Sequence, residues 1–244
     1  MSFLFVHETE DREYLLAPGE TLETDLGILE VPTEPTPGEV VETHLGEPFT
    51  VRALRGPDLF NHLERTGAPM MPRDIGIVVG KTGIQAGDRV LDAGTGTGVL
   101  SAYLARMGAT VTTYERDADF ADVARENMAM AGVDDSVDVR TGDVTDDLDA
   151  LRAADFDVLT LDTGDAAAVV EHAPDLLVSG GFLAVYSPFV EQAREAIQTA
   201  RDVGLQDAET LETIQRALDV SDRGTRPSTR GVGHTGYLTF ARNP

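Results

Sequence analysis

Cysteine is absent from this sequence of 244 residues. The chain can therefore form neither disulfide bonds nor thiolate metal sites, and it shows no sign of secretion. The first eight residues lack the basic start and the long apolar run of a signal peptide. No stretch approaches the apolar length that a membrane span requires. These absences predict a cytoplasmic, soluble protein with no bound metal and no membrane contact.

Lysine is nearly absent as well, because Lys81 is the single lysine among 19 basic residues. Against these stand 43 acidic residues, and the net charge is −24. This balance resembles that of halophilic proteins, which are adapted to molar salt. At about 1 M salt the Debye length is roughly 3 Å, so charge repulsion is short-ranged. An acidic balance therefore does not exclude RNA as a partner.

The first part of the sequence differs in composition from the rest. Short alternating apolar runs are separated by glycine and proline, a pattern typical of strands joined by turns. We predict a small β-rich domain over residues 1–62 and a larger domain over residues 63–244. Strands are expected at residues 14–16, 26–31, 40–44 and 48–51, and a short helix at 58–65.

A glycine-rich segment follows a short apolar strand predicted at residues 89–93 and precedes a helix predicted at 99–107. Glycine has no Cβ, so the backbone of Gly94 and Gly96 can lie close to a ligand. The helix N-terminus then presents free N–H groups at the end of the strand. The motif alone is weak evidence, and a turn that only reverses the chain is the alternative. Its sequence is Val90-Leu91-Asp92-Ala93-Gly94-Thr95-Gly96-Thr97-Gly98.

A carboxylate strengthens this interpretation. Glu115 ends the next predicted strand and is placed to accept hydrogen bonds from both hydroxyls of a ribose. The combined pattern resembles motifs one and two of class I S-adenosylmethionine (SAM)-dependent methyltransferases. The resemblance implies SAM as cofactor and contacts to it from Gly94, Thr95, Gly96, Thr97 and Gly98.

From residue 89 onward, predicted strands and helices alternate, which is typical of a doubly wound α/β sheet. Five parallel strands are expected at residues 89–93, 110–114, 137–140, 156–161 and 182–186. Residues 208–216 and 237–241 are expected to close one edge as an antiparallel pair. The fold class is thus α/β, a Rossmann-like and mostly parallel methyltransferase sheet with a small N-terminal β domain.

Carboxylates end four of these strands, at the edge where open α/β sheets bind ligands. Asp143 suits the exocyclic amine of the cofactor's adenine, with Val144 against the ring, although Asp143 could instead cap the helix that follows. Asp92 either holds the cofactor's ammonium group or organises the glycine turn. These two possibilities stay open.

Asp162 is the predicted catalytic residue, and it is also placed to contact the cofactor. A carboxylate bonded to the exocyclic amine of adenine raises the nucleophilicity of N1 and stabilises the charge that methylation creates. It can also receive the proton that the product loses. The residues after Asp162 do not form the D-P-P-Y tetrad of exocyclic amino methyltransferases. The alternative role for Asp162 is a helix cap.

The C-terminal part reverses the sign of the charge. From residue 216 to the end there are two acidic residues, Asp219 and Asp222, and five arginines: Arg216, Arg223, Arg226, Arg230 and Arg242. Arginines in flexible, glycine-flanked loops suit bidentate contacts to phosphates. Ion pairs with the acidic surface or with a neighbouring subunit are the alternative.

Residues 69–242 resemble the tRNA (adenine-N1)-methyltransferases that modify adenosine 58 of the T-loop, of which archaeal members also act at position 57. The resemblance rests on the glycine loop and on Pro72-Arg73-Asp74, Tyr114-Glu115, Leu161-Asp162, Val185-Tyr186-Ser187-Pro188, Arg226-Pro227 and Gly233-His234-Thr235-Gly236-Tyr237-Leu238. It implies a homotetramer, tRNA as partner, and catalysis by Asp162. Substrate contacts are expected from Met71, Tyr186, Arg226, Arg230 and His234.

One position departs from the family pattern. Bacterial relatives have an aromatic residue immediately before the proline-basic-aspartate motif, where this chain has Met71. Methionine can pack on the face of a base, and the target adenine must leave its stack to reach the site.

Two other functions are weighed against this one. A protein-isoaspartate or other small-substrate methyltransferase, such as a corrinoid type, would not need the arginine-rich stretch. A non-catalytic RNA-binding subunit usually loses the glycine loop or the carboxylate of the fourth strand, and this chain retains both.

Overall fold

The computed structural model describes residues 1–230 and 233–244. Gly231 and Val232, which belong to the arginine-rich stretch, lie outside the described residues. The N-terminal part forms six short strands and one helix, followed by a longer helix. In order these are β1 (Phe3–His7), β2 (Arg12–Leu16), β3 (Thr21–Thr24), β4 (Gly27–Glu30), β5 (Val40–Glu42), β6 (Pro48–Ala53), α1 (Gly56–His62) and α2 (Pro72–Thr82).

The N-terminal strands form an antiparallel sheet in the order β2-β1-β6-β5 and a separate β3-β4 hairpin. The side chains of Phe5 and Phe49 pack in an apolar cluster of this sheet, whereas Leu4 and Val6 face the core of the larger domain. The sequence pattern did not predict β1, because a strand buried on both faces does not alternate apolar and polar residues. The boundary at residue 62 stays a prediction.

The larger part alternates strands and helices as expected. Its strands are β7 (Arg89–Ala93), β8 (Thr110–Glu115), β9 (Val137–Thr141), β10 (Phe156–Leu161), β11 (Leu177–Ser187), β12 (Gln206–Glu212), β13 (Leu218–Ser221), β14 (Gly224–Pro227) and β15 (Tyr237–Arg242). Its helices are α3 (Val99–Arg106), α4 (Ala118–Ala131), α5 (Leu148–Leu151), α6 (Ala166–Val170), α7 (Ala173–Leu176) and α8 (Val190–Asp202).

Seven of these strands form one sheet in the order β12-β15-β11-β10-β7-β8-β9. Strands β7 to β11 are mutually parallel, and β15 is antiparallel to both of its neighbours. The predicted fold class is therefore confirmed, including the antiparallel edge. The chain runs outward in both directions from the adjacent pair β7 and β10. Their carboxyl ends consequently form the switch point at which such sheets bind ligands.

Successive residues of the central strands face opposite layers of helices. Val90 and Val158 pack in one apolar cluster with residues of α1 to α4, and Leu91 and Leu159 pack in a second cluster with residues of α6 and α7. This burial on both faces explains why each strand is almost continuously apolar. None of the described helices is long and apolar enough to cross a membrane.

Three local predictions differ from the structure. The helix expected through residue 177 is two short helices, α6 and α7, and the helix expected at 144–151 is a 3₁₀ turn (Val144–Asp146) followed by α5. The stretch after residue 217 was predicted to be flexible, but it forms the hairpin β13-β14. Its side chains are largely exposed, so no burial pattern marks it in the sequence.

Candidate active site

A cleft with two lobes opens at the carboxyl ends of β7, β8 and β10. The first lobe, of about 430 Å³, lies over the glycine loop and extends to Pro69 and Leu100. The second, of about 850 Å³, extends to Glu115 and Asp143. Both lobes are lined by Thr66, Gly67, Gly94, Gly96 and Asp162. Asp162 therefore lies where the lobes meet, and the loop carrying Thr66 and Gly67 is a wall that sequence reasoning missed.

The glycine loop is held tightly between two neighbouring strands. Gly94 has a φ of +92°, and a Cβ at this position would overlap the carbonyl oxygen of Asp162. The Asp162 N–H donates to the carbonyl of Ala93 at 2.8 Å, and the Gly94 N–H donates to the carbonyl of Tyr114 at 3.0 Å. Gly98 also has a positive φ, and a Cβ there would lie 2.5 Å from Met128. The loop thus needs glycine because the backbone itself forms the floor of the cleft.

Asp92 is buried and is surrounded by hydroxyl groups. Its carboxylate accepts hydrogen bonds from Ser101 at 2.7 Å, Thr113 at 2.8 Å and Thr160 at 2.6 Å. Burial raises the pKa of Asp92 above its usual value, although these three donors act in the opposite direction. The bonds join the glycine loop, two strands and α3. The geometry therefore favours the organising role, although Asp92 also lines the first lobe.

Glu115 lines the second lobe with its carboxylate partly used. One oxygen accepts the Gly96 N–H at 2.9 Å and the other accepts the Asp117 N–H at 3.1 Å. A carboxylate oxygen has two lone pairs, so each can accept one further hydrogen bond. Glu115 thus both supports the glycine loop and faces the lobe.

Asp143 caps the turn that follows β9. Its Oδ1 accepts hydrogen bonds from the N–H and the hydroxyl of Thr145 at 2.9 and 2.7 Å. These two bonds lower the pKa of Asp143, and nearby Arg116 lowers it further. Both Asp143 and the buried Val144 line the second lobe. The capping role expected as an alternative is thus present together with a position on the cleft.

Arg116 lies at the rim of the second lobe and was not singled out from the sequence. Its guanidinium contacts the loops after β9 and β10, at 3.4 Å from Asp143, 2.8 Å from Asp165 and 3.2 Å from the Thr163 hydroxyl. Its place directly after Glu115 was the one signal that could have revealed it.

Asp162 carries the most perturbed carboxyl group of the cleft. Burial raises its pKa to about 7, and the negative charge of Asp92 raises it further. Asp165, rather than Asp162, is the residue that precedes α6. The alternative of a helix cap is therefore wrong, and the Asp162 carboxylate remains on the cleft.

Three distant segments meet beside this carboxylate. The Thr235 hydroxyl accepts from Arg73 at 2.8 Å and donates to the buried Asp74 at 3.0 Å. The Tyr186 hydroxyl donates to the carbonyl of Thr235. Burial raises the pKa of Tyr186, and the charges of Asp162 and Asp74 raise it further. The motifs at residues 72–74, 185–188 and 233–238 therefore form one wall.

The remaining predicted substrate residues lie at different distances from the cleft. Met71 directly precedes α2, and among the described residues its neighbour Met70 lines the first lobe while Met71 lines neither. His234 contacts Glu212 at 2.7 Å and the carbonyl of Pro188 at 3.3 Å, and the Glu212 carboxylate raises the pKa of His234.

Arg226 and Arg230 do not reach the cleft. Arg226 lies on β14 with its Nε 3.8 Å from Asp219, and Arg230 is exposed in the loop that follows. Within residues 1–230 and 233–244, no three histidine or acidic side chains are grouped so that they could hold a metal ion.

The glycine loop, the carboxylates and the wall can now be compared with known proteins. The model of the family described as "tRNA methyltransferase complex GCD14 subunit" matches residues 57–225. The chain belongs to this family. It is 33% identical to the tRNA (adenine(57)-N(1)/adenine(58)-N(1))-methyltransferase TrmI of Methanocaldococcus jannaschii, over 99% of this chain and 94% of that protein.

Further relatives of the GCD14-family chain agree with this assignment. The tRNA (adenine(58)-N(1))-methyltransferase TrmI of Thermus thermophilus is 29% identical, over 98% of this chain and 96% of that protein. A crystal structure of a SAM-dependent O-methyltransferase from Thermotoga maritima superimposes with a TM-score of 0.81 at 27% identity, over 99% of this chain and 92% of that one. A protein-L-isoaspartate O-methyltransferase of Methanoculleus marisnigri, by contrast, matches 25% of this chain and 28% of its own length, at 50% identity.

Proposed function

We propose that this protein methylates N1 of an adenine in the T-loop of tRNA, at position 58 and with position 57 as a second candidate, using SAM. The observation that carries the proposal is the buried carboxyl group of Asp162, which lies where the two lobes of the cleft meet. Relatives that match almost the whole chain are named for this reaction. A cytoplasmic location follows from the proposed substrate.

The cleft suits the cofactor. The second lobe combines the Glu115 carboxylate, the Asp143 carboxylate and the apolar Val144, which match ribose hydroxyls, an adenine amine and a ring face. The first lobe is walled by backbone at Gly94, Gly96 and Gly98, where side chains would fill the space. SAM supplies an electrophilic methyl group there.

Asp162 then acts on the target base. Its carboxylate accepts a hydrogen bond from the exocyclic amine, which makes N1 a better nucleophile and stabilises the cationic ring after methylation. It also accepts the amine proton when the product becomes neutral. Both roles need the ionised carboxylate. With a pKa of about 7 for Asp162, kcat/KM should rise with pH through neutrality.

We assign the wall formed by Tyr186, His234 and Met71 to the incoming nucleoside, and Arg226 and Arg230 to the rest of the tRNA. Tyr186 lies beside Asp162 and is fixed by Thr235. His234 has a raised pKa and suits a nearby phosphate. The ion pair of Arg226 with Asp219 makes it the weakest of these assignments.

The reaction is tested with labelled SAM and an unmodified tRNA transcript at high salt. We expect N1-methyladenosine after digestion at neutral pH and chromatography of the nucleosides. Transcripts with guanosine at position 57, at position 58 or at both separate the two target positions. Label in N6-methyladenosine, or in methyl esters of added peptides, would contradict the proposal.

The hairpin β13-β14 supports the homotetramer that family resemblance implies. Leu218 and Val220 are 61% and 77% exposed and project from one face, next to their cross-strand partners Pro227 and Thr225. An isolated two-stranded hairpin is at best marginally stable in water, and apolar groups on it favour association. We propose that a second copy of the chain covers this face.

Replacing Leu218 and Val220 by serine should lower the assembly state, because the polar hydroxyls remove the apolar contact. Light scattering coupled to size-exclusion chromatography measures the mass directly. Val40→Ser is the matched control, since Val40 is 56% exposed on the N-terminal sheet. An unchanged mass for the double variant would show that the hairpin is not at the interface.

A further inference from the structure

The five arginines of the C-terminal part differ in their partners. Arg226 pairs with Asp219, and Arg242 donates to the carbonyl of Gly180 at 3.0 Å. Within residues 1–230 and 233–244, the side chains of the other three have no hydrogen bond or ion pair. They are Arg216, Arg223 and Arg230.

Such unpaired guanidinium groups are unexpected in a chain with 43 acidic and 19 basic residues. Elsewhere on the surface, arginines find acidic neighbours, as Arg125 does with Asp122 at 2.6 Å and Arg140 with Asp138 at 2.7 Å. The three free arginines are therefore held apart from carboxylates, although acidic residues are abundant. Their positive charge remains available to an external anion.

Two of these arginines line the same open groove of about 630 Å³. We call this site the arginine groove and define it by Gln215, Arg216, Ser228, Thr229, Arg230 and Gly233. The Ser228 N–H donates to the carbonyl of Ala217 at 2.8 Å, which joins the two sides. The Ser228 hydroxyl accepts the Arg230 N–H at 3.1 Å. Arginine, hydroxyl and amide groups are the usual partners of phosphate oxygens.

The arginine groove is continuous with the wall of the active site. Gly233 lines the groove, and the next two residues belong to that wall. Of these, His234 contacts the carbonyl of Pro188 and Thr235 contacts Asp74. A polynucleotide whose base enters the cleft would thus have its neighbouring backbone near this loop.

We infer that the arginine groove binds the phosphodiester backbone of the tRNA through Arg216 and Arg230. This inference rests on the proposed function and refines it, since it replaces Arg226 by Arg216 as a phosphate contact. Two unpaired guanidinium groups with hydroxyls between them match a phosphate, which accepts several hydrogen bonds at once. The competing occupant is the acidic surface of a second copy.

The test is the double variant Arg216→Gln/Arg230→Gln, assayed by fluorescence anisotropy with a labelled, unmodified tRNA transcript. Salt is varied over the range in which circular dichroism shows an unchanged fold. We expect binding about 10-fold weaker, and a plot of log K against log salt that is shallower by about 2, roughly 1 per phosphate contact. The KM for tRNA should rise in parallel while kcat stays unchanged.

Two single variants serve as controls. Arg194→Gln removes an exposed arginine on α8, away from the groove, and Arg226→Gln removes the paired arginine of the hairpin. Both should bind tRNA with the affinity and salt slope of the unmodified protein.

Two results would overturn the inference. One is a double variant with unchanged affinity and slope. The other is a loss of assembly in light scattering, which would show that a second copy occupies the groove. Binding is measured without turnover, so a protein that forms no N1-methyladenosine but shows the predicted slopes would contradict the proposed function alone.

Discussion

Replacing Asp162 by asparagine lowers kcat by roughly 10²- to 10⁴-fold, the range expected when a general base is lost. Asparagine has nearly the same shape, so the cleft and cofactor binding are retained. Its amide cannot take the proton from the exocyclic amine or balance the charge on the methylated ring. Single-turnover methylation with saturating SAM and tRNA measures the effect. Asp165→Asn, an exposed change three residues away, is the control and should keep full activity.

The same variant should be more stable than the parent above neutral pH. The folded pKa of about 7 lies above the ordinary value of 3.8, so the folded state binds this proton more tightly than the unfolded state does. Stability therefore falls as pH rises from about 4 to 7, and the full cost is present above pH 7. Asp162→Asn removes that cost, which is on the order of a few kcal/mol.

Thermal unfolding at pH 8 and at pH 4 tests this expectation. The melting temperature of Asp162→Asn should exceed that of the parent at pH 8, and the difference should shrink toward pH 4. A variant that melts lower than the parent at pH 8, or that retains its methylation rate, would contradict the role assigned to Asp162.

Replacing Gly94 by alanine should abolish cofactor binding and destabilise the fold. The residue has a φ of +92°, and its new Cβ would overlap the carbonyl oxygen of Asp162. Relief requires the ends of β7 and β10 to separate, which deforms the floor of both lobes. We expect at least a 100-fold loss of SAM affinity by calorimetry and a loss of about 3 kcal/mol in the free energy of unfolding.

Gly96→Ala is the matched control in the same loop. Gly96 has a φ of +51°, and the nearest atom to its Cβ would be the Thr66 hydroxyl at 3.9 Å. Alanine at this φ costs about 1 kcal/mol and creates no overlap. If Gly94→Ala bound SAM as well as Gly96→Ala does, the close approach of the loop to Asp162 would not matter for the site.

The local pattern of the chain was sufficient to predict the parallel sheet and the ends of its central strands. Buried strands such as β7 and β10 are continuous apolar runs, and each is followed by a turn residue and a carboxylate or glycine. A ligand site at Asp92, Gly94 and Asp162 followed, because parallel strands end at the same edge. This part of the fold depends on interactions between residues close in sequence, which periodicity records.

Only the tertiary structure decided what each polar side chain contacts. Arg73 and Thr235 are 162 positions apart and share a hydrogen bond, and Asp92 meets Thr160 across two strands. It also decided which arginines are paired, since Arg226 has a cross-strand partner and Arg216 has none among the described residues. Such contacts depend on how distant segments pack, and no spacing within one segment encodes them.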